Sequence, residues 1–289
     1  YHNKVVNGLA TMLLNLRLRE MTQQANPPFL GAGANTVPLT AQHKAFMASA
    51  ALGAGGAAPA IAALEQEQQR VRQFGFTEAE LERARKMALS GMERGLKEKE
   101  TTDSSSYVAE YQRNFLTGES LPGIDAEFRL VQELLPTITV ADLNAAARKA
   151  FPADAGKLVV YAGNTKAGPA PTTAQLLADD AAASHAQVTD HAEKKVAQHL
   201  MARPAAPGRI VAETRAETLG LTRLTLSNGV QVILKPTAFR KDQVLLGAKR
   251  FGGHTLFDEK DIPNARAASG LAAMMGLKET GATDSGARD

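Results

Sequence analysis

The six histidines, His2, His43, His185, His191, His199 and His254, are the side chains most able to hold a metal, because the chain has no cysteine. Two histidines on one helix face beside a glutamate would supply two ligands and a general base. That is why metallopeptidase helices carry His-Glu-x-x-His or its inverse, His-x-x-Glu-His. Neither spacing occurs. His191 and His199 lie eight apart with Glu193 between them, in an alanine-rich stretch, and read as solvent-exposed. Together with His185 they are the residues a metal site would have to use. His254 follows Gly252-Gly253 and reads as a turn residue. The expectation is that this chain holds no metal ligand.

Other chemistries have as little to work with. Gly53-x-Gly55 precedes a helix, the local setting of a dinucleotide fingerprint, but no parallel strand ending in an acid follows to hold a ribose. A tight turn is the simpler reading. Ser104-Ser105-Ser106 reads as a helix start whose hydroxyls satisfy backbone donors, and no Gly-x-Ser-x-Gly elbow is present. Asp103, Glu110, Asp125 and Glu127 fall on charged helical faces and pair with no evident base. The net charge is +3. Over 78–100 the signs alternate, which predicts a solvated face rather than a phosphate-binding stripe. Nucleic acid is therefore not an expected partner. Ala45 to Leu64 is uncharged over 20 residues, but it is mostly alanine and glycine with Pro59 inside, so no membrane span is expected.

The elements around these residues follow from periodicity. Val5, Leu9, Met12, Leu13 and Leu16 make an apolar stripe on a helix over 4–21. Phe29 to Thr36 and Lys44 to Leu52 read as strands, and a helix runs from Pro59 to Phe74. Thr77 with Glu80, and Thr139 with Asp142, are capping boxes opening two further helices. Helices are also expected over 102–115 and 124–134. Lys157 to Ala162 (KLVVYA) reads as a buried strand. Residues 165–208, rich in Pro, Gly and Ala, read as a linker with at most a weak helix from Ala174 to Leu200. Beyond it, Leu221 to Leu226, Ser227-Asn228-Gly229 and Val230 to Leu234 form a hairpin. Val244 to Arg250 reads as a third strand, and Asn264 to Gly276 as an alanine-rich helix.

The second block carries a resemblance. Leu226-Ser227-Asn228-Gly229-Val230-Gln231-Val232-Ile233-Leu234-Lys235-Pro236, then Gly252-Gly253-His254, then Gly270-Leu271-Ala272-Ala273-Met274-Met275-Gly276-Leu277 resembles the opening of a homology repeat in the pitrilysin/insulinase family of zinc metalloproteases. The catalytic repeat of that family reads Gly-Leu-Ala/Ser-His-x-x-Glu-His along the helix. On that register Ala273 stands for the first zinc histidine, Gly276 for the base glutamate and Leu277 for the second histidine. All three functional groups are missing. The first block is similar to the family's second domain, through Leu9 to Glu20, Phe76 to Arg85 and Leu158 to Tyr161.

The resemblance implies an α+β fold, with helices packed on one face of a mostly antiparallel sheet. It implies residues 1–164 as a non-catalytic second domain, 165–218 as the linker between halves, and 219–289 as the truncated start of a third domain with a degenerate motif. It further implies a longer, periplasmic parent whose zinc site lies upstream, with peptide as substrate and its other domains as partners. This chain would contribute chamber wall and hinge, with no catalytic residue and no cofactor of its own. The same family also contains catalytically silent assembly subunits, which is the alternative.

Overall fold

In a computed structural model of the chain, residues 1–24, 26–40, 43–53, 55–152, 156–163, 169–191, 206, 208–237 and 244–274 are described. The chain divides into two compact units, Tyr1–Lys194 and Lys195–Asp289.

The first unit is organised around α1 (His2–Met21), whose Leu9, Leu13, Leu14 and Leu18 are almost wholly buried. Relative to the expected stripe the helix is rotated. Leu14, Arg17 and Leu18 face inward, while Met12 and Leu16 are half-buried. Each buried leucine contributes roughly 1.5–3 kcal/mol of apolar transfer. Strands β1 (Gly31–Pro38) and β2 (Lys44–Ala51) form an antiparallel hairpin pairing Ala34 with Ala48 and Thr36 with Phe46. Ala32, Ala34, Phe46, Ala48 and Ala50 turn to the core, so the helices lie on one face of this small sheet, in the expected α+β arrangement.

Helix α2 (Ala57–Phe74) lies between Gly56 and Gly75, both at positive φ. Helix α3 (Glu78–Lys97) opens on the Thr77–Glu80 capping box and α6 (Val140–Ala150) on the Thr139–Asp142 box, as their sequences require. Between them lie α4 (Ser104–Thr117) and α5 (Ile124–Leu134). The cap of α4 is the Asp103 carboxylate, which accepts from the Ser105 N–H at 2.8 Å; the three serine hydroxyls do not fill that role.

Helix α7 (Thr173–Ser184) falls in the stretch read as linker. It is opened by a third capping box, Thr172 with Gln175, and it packs along α2. Lys157 Nζ fastens the two helices, reaching Glu65 and Asp180, both at 2.9 Å, and Ser184 at 3.0 Å.

The KLVVYA segment is not a strand. Its backbone forms no strand pairing among the described residues, and Leu158 and Val160 are 88% and 75% exposed. High β-propensity makes a strand only where an edge is available to pair with it.

In the second unit β3 (Ile210–Ala216), β4 (Leu221–Leu226) and β5 (Gln231–Leu234) form an antiparallel sheet in that order. The Asn-Gly turn forms as expected. The Leu226 N–H donates to Val230 O at 2.8 Å, Gly229 takes φ 84°, and Asn228 Oδ1 accepts from the Val230 N–H at 3.2 Å. The sequence reading missed β3. Conversely, the strand expected over Val244 to Arg250 is absent: these residues are irregular and exposed. Helix α8 spans Ile262–Met274. Among the described residues of this unit none is buried.

Candidate functional site

Of the positions that would carry zinc chemistry, Ala273 lies within α8, whereas Gly276 and Leu277 lie outside the described residues. Of the histidines, His43 Nδ1 is 3.0 Å from Thr40 Oγ1, His185 caps the C-terminus of α7, and His254 lies in an exposed short helical turn over Gly253–Leu256. His191 Nε2 is 3.9 Å from Glu20 Oε2, and His199 lies outside the described residues. Among the described residues no cluster of three His, Asp or Glu side chains could hold a metal ion. The Gly53–Gly56 turn, closed by the Gly56 N–H on Gly53 O at 3.2 Å, leads from an antiparallel hairpin into α2 and then α3. It therefore has no βαβ unit to cradle a nucleotide.

What the structure does assemble is a cleft of about 660 Å³ on the solvent face of the β1–β2 hairpin. Gly31, Gly33, Met47 and Ser49 form its floor, and Asn15 and Arg19 of α1 form one wall. Asn15 is fixed by two bonds to the strand: its Nδ2 donates to Ala34 O at 2.9 Å and its Oδ1 accepts from the Ala34 N–H at 2.7 Å. The amide thus stands in for a neighbouring strand and blunts the edge of β1. Two glycines in the floor leave the backbone accessible, and Arg19 supplies a solvent-exposed cation. Such a surface can hold an extended chain and its carboxylates; the hydroxyls of Thr22 and Ser49 line it, with no His, Asp or Glu among the lining residues to activate them.

Beneath the wall lies a buried ionic cluster that sequence reading missed. Arg17 of α1 is 2% exposed, Glu67 of α2 0% and Glu80 of α3 3%. Arg17 meets Glu80 through two bonds, Nε to Oε1 at 2.7 Å and Nη2 to Oε2 at 2.8 Å. It reaches Glu67 Oε1 at 3.2 Å and Gly75 O at 3.0 Å, and stacks 5.0 Å from the Phe76 ring centroid. Arg70 satisfies the other Glu67 oxygen, so two arginines balance two glutamates. The alternating charges of 78–100 are thus not all a solvated face: Glu80 caps its own helix and also ties it to α1. The one available signal was Arg17 itself, four residues past Leu13 on the buried stripe.

Burial pushes the Glu80 carboxyl up, but the hydrogen bonds and charge of Arg17, with the Thr77 N–H, hold it below the ordinary glutamate value of 4.5. Glu65 follows the same pattern: burial raises it, and Lys157 and Arg72 more than offset that. A carboxyl whose folded pKa is depressed contributes stability that is present above its unfolded value. That stability is lost as pH falls through the folded value. Unit Tyr1–Lys194 should therefore melt at a nearly constant temperature down to pH ~5 and progressively earlier below it, with Glu80→Gln flattening the acid limb. An acid limb with the same slope in Glu80→Gln would remove Glu80 from this account.

No protein-family model matches the chain. It is 25% identical over 278 residues to a PQQL-like zinc protease of Arabidopsis thaliana, a match covering 96% of this chain and 26% of that protein. Its fold is similar to the periplasmic protease PqqL of Escherichia coli, with TM-score 0.54 and 18% identity over 98% of this chain and 31% of that one. It is also similar to the separately solved first half of that protease, with TM-score 0.51 and 15% identity, covering 66% of this chain and 42% of that one. The chain thus spans about a quarter of the length of the curated relative. At these identities the solved structures establish a common fold.

Proposed function

We propose that this chain, 25% identical to a zinc protease and similar in fold to a periplasmic one, is a piece of a pitrilysin/insulinase-family protease, and that it forms non-catalytic wall and hinge in the peptide-binding chamber of a longer zinc metalloendopeptidase. The observation that carries this reading is the order of elements in the second unit. The β4–β5 hairpin with its Asn-Gly turn is followed by Gly252-Gly253 and then by α8, with alanine at position 273 where the first zinc histidine would stand. Zinc, its histidines and the glutamate base belong to the upstream part of the parent, which is periplasmic like its Escherichia coli neighbour.

In this arrangement residues 1–164 are the second domain, 165–218 join the halves and 219–289 open the third. The division of the chain into units Tyr1–Lys194 and Lys195–Asp289 supports this arrangement. That boundary falls inside the proposed junction. The absence of any buried side chain among the described residues of Lys195–Asp289 fits a domain whose core is completed by polypeptide beyond it. The cleft beside α1 then faces substrate, with Arg19 against acidic or carboxy-terminal groups.

The test is zinc content and peptidase activity of the purified chain, freed of any affinity tag and dialysed against low zinc. Zinc well below one per chain and no cleavage of unstructured peptides above buffer are expected. One tightly held zinc accompanied by hydrolysis would overturn the reading and make His185, His191 and His199 the ligands to examine. A photoreactive extended peptide should label Met47 or Ser49, and labelling confined to other surfaces would remove the cleft from the chamber wall.

A further inference from the structure

Helix α4 has no buried residue, and among the described residues no other helix or strand of the unit packs along it beyond marginal contact. Its exposed side chains are nonetheless apolar and grouped. Tyr107, Val108, Tyr111 and Phe115 follow helical spacing down one side, with Leu116 beside them, and Phe115 is 88% exposed. Glu110 and Arg113 are the helix's only charged residues. The bonds that hold α4 are at its ends. Asp103 caps the N-terminus, and Tyr107 Oη donates to Lys99 O at 3.0 Å. Gly118 closes the C-terminus at φ 68°, and Arg113 and Asn114 reach Glu119. An isolated helix of this length is marginal in water, and one rich in Ser, Tyr, Val, Phe and Thr more so. Its apolar stripe therefore calls for a covering surface.

We propose that this stripe is the docking face for the remaining domain of the same half of the parent protein. The proposal rests on the chamber-wall reading above and adds the surface by which the wall is attached. The occupant follows from the first-half structure: this chain accounts for 42% of it, leaving 58% of that half as other polypeptide. A companion of that size must be held by the unit, and α4 is the helix of the unit that presents an unshared apolar face with almost no charge to desolvate. Phe115 and Tyr111, at the centre of the stripe, are the anchors: large, rigid rings that bury much area at little entropic cost.

Hydrogen exchange of residues 104–117, measured in the isolated chain and in the full-length polypeptide that contains it, tests the proposal. In the isolated chain these amides should exchange rapidly while those of α3 are protected. In the full-length protein they should slow by on the order of tenfold or more. Phe115→Asp should abolish that slowing and leave the melting temperature of the isolated chain unchanged, since the ring touches little there. Equal, fast exchange in both contexts, in a full-length protein that binds one zinc, would overturn the docking face and leave the chamber-wall reading intact. A full-length protein without zinc would sink that reading, whatever the exchange shows. Protection that appears in the isolated chain as its concentration rises would make a second copy the occupant, and protection that needs added peptide would make it substrate; either overturns the proposal.

Discussion

Replacing Arg17 by methionine should destabilise unit Tyr1–Lys194 by about 3–5 kcal/mol, the cost of leaving buried carboxylates without their partner. The side chain is 2% exposed and bridges three helices, with two bonds to Glu80, one to Glu67 and one to the Gly75 carbonyl. Methionine keeps an unbranched apolar stem but not the guanidinium, so the loss is mainly electrostatic. Afterwards Glu67 retains Arg70, but Glu80 keeps only the N-cap bonds of its own helix. Arg17→Lys should fall between the two: the charge remains, but an ammonium cannot span Glu80 in two bonds and also reach Gly75 O. Because burying any ion pair costs desolvation, Arg17→Met combined with Glu80→Gln and Glu67→Gln should recover part of the loss. Urea denaturation of the four proteins, read by circular dichroism, checks the order. A loss below about 1 kcal/mol for Arg17→Met would mean the cluster is hydrated and carries no structural weight.

That cluster also marks where sequence reading stops. The capping boxes Thr77–Glu80 and Thr139–Asp142 and the Asn228-Gly229 turn were legible because each is closed within a few residues, so composition and spacing determine the geometry. The third box, Thr172 with Gln175, was just as local, but the surrounding Pro, Gly and Ala content directed the reading toward a linker. The two missing strands failed for the opposite reason. KLVVYA and Val244 to Arg250 have the right side chains, but a strand is defined by its partner, and nothing within either segment specifies one. Arg17 lies 50 residues from Glu67 and 63 from Glu80 along the chain, so no window along the chain could have joined them. The cleft was unreadable on the same ground: it exists because Asn15 happens to meet Ala34 across a helix–strand contact.

The other large effect expected of a single substitution lies at Gly75, whose carbonyl Arg17 holds. Gly75 ends α2 at φ 80° and ψ −162°, a region that side-chain-bearing residues enter only with strain of about 1–3 kcal/mol. A Cβ there would also lie 2.3 Å from Asn144 Nδ2, forcing that amide aside. Asn144 is not free to move without loss, because its Oδ1 accepts the Phe76 N–H at 2.8 Å and so fixes the turn between α2 and α3. Losing that bond adds about 1 kcal/mol, for a total of about 2–4 kcal/mol in Gly75→Ala. The structure supplies its own control at the other end of the helix. Gly56 has nearly the same backbone, φ 76° and ψ −154°, but a Cβ there meets nothing within 4 Å. Gly56→Ala should therefore cost the backbone strain alone, and the difference between the two variants isolates the Asn144 contact. With Asn144→Ala in the background, the two glycine substitutions should converge, because the clash and the bond to Phe76 have both been removed. Equal losses for Gly56→Ala and Gly75→Ala in the otherwise unaltered chain would show that the α2–α3 turn does not depend on Asn144, and that Arg17 alone sets the position of the Gly75 carbonyl.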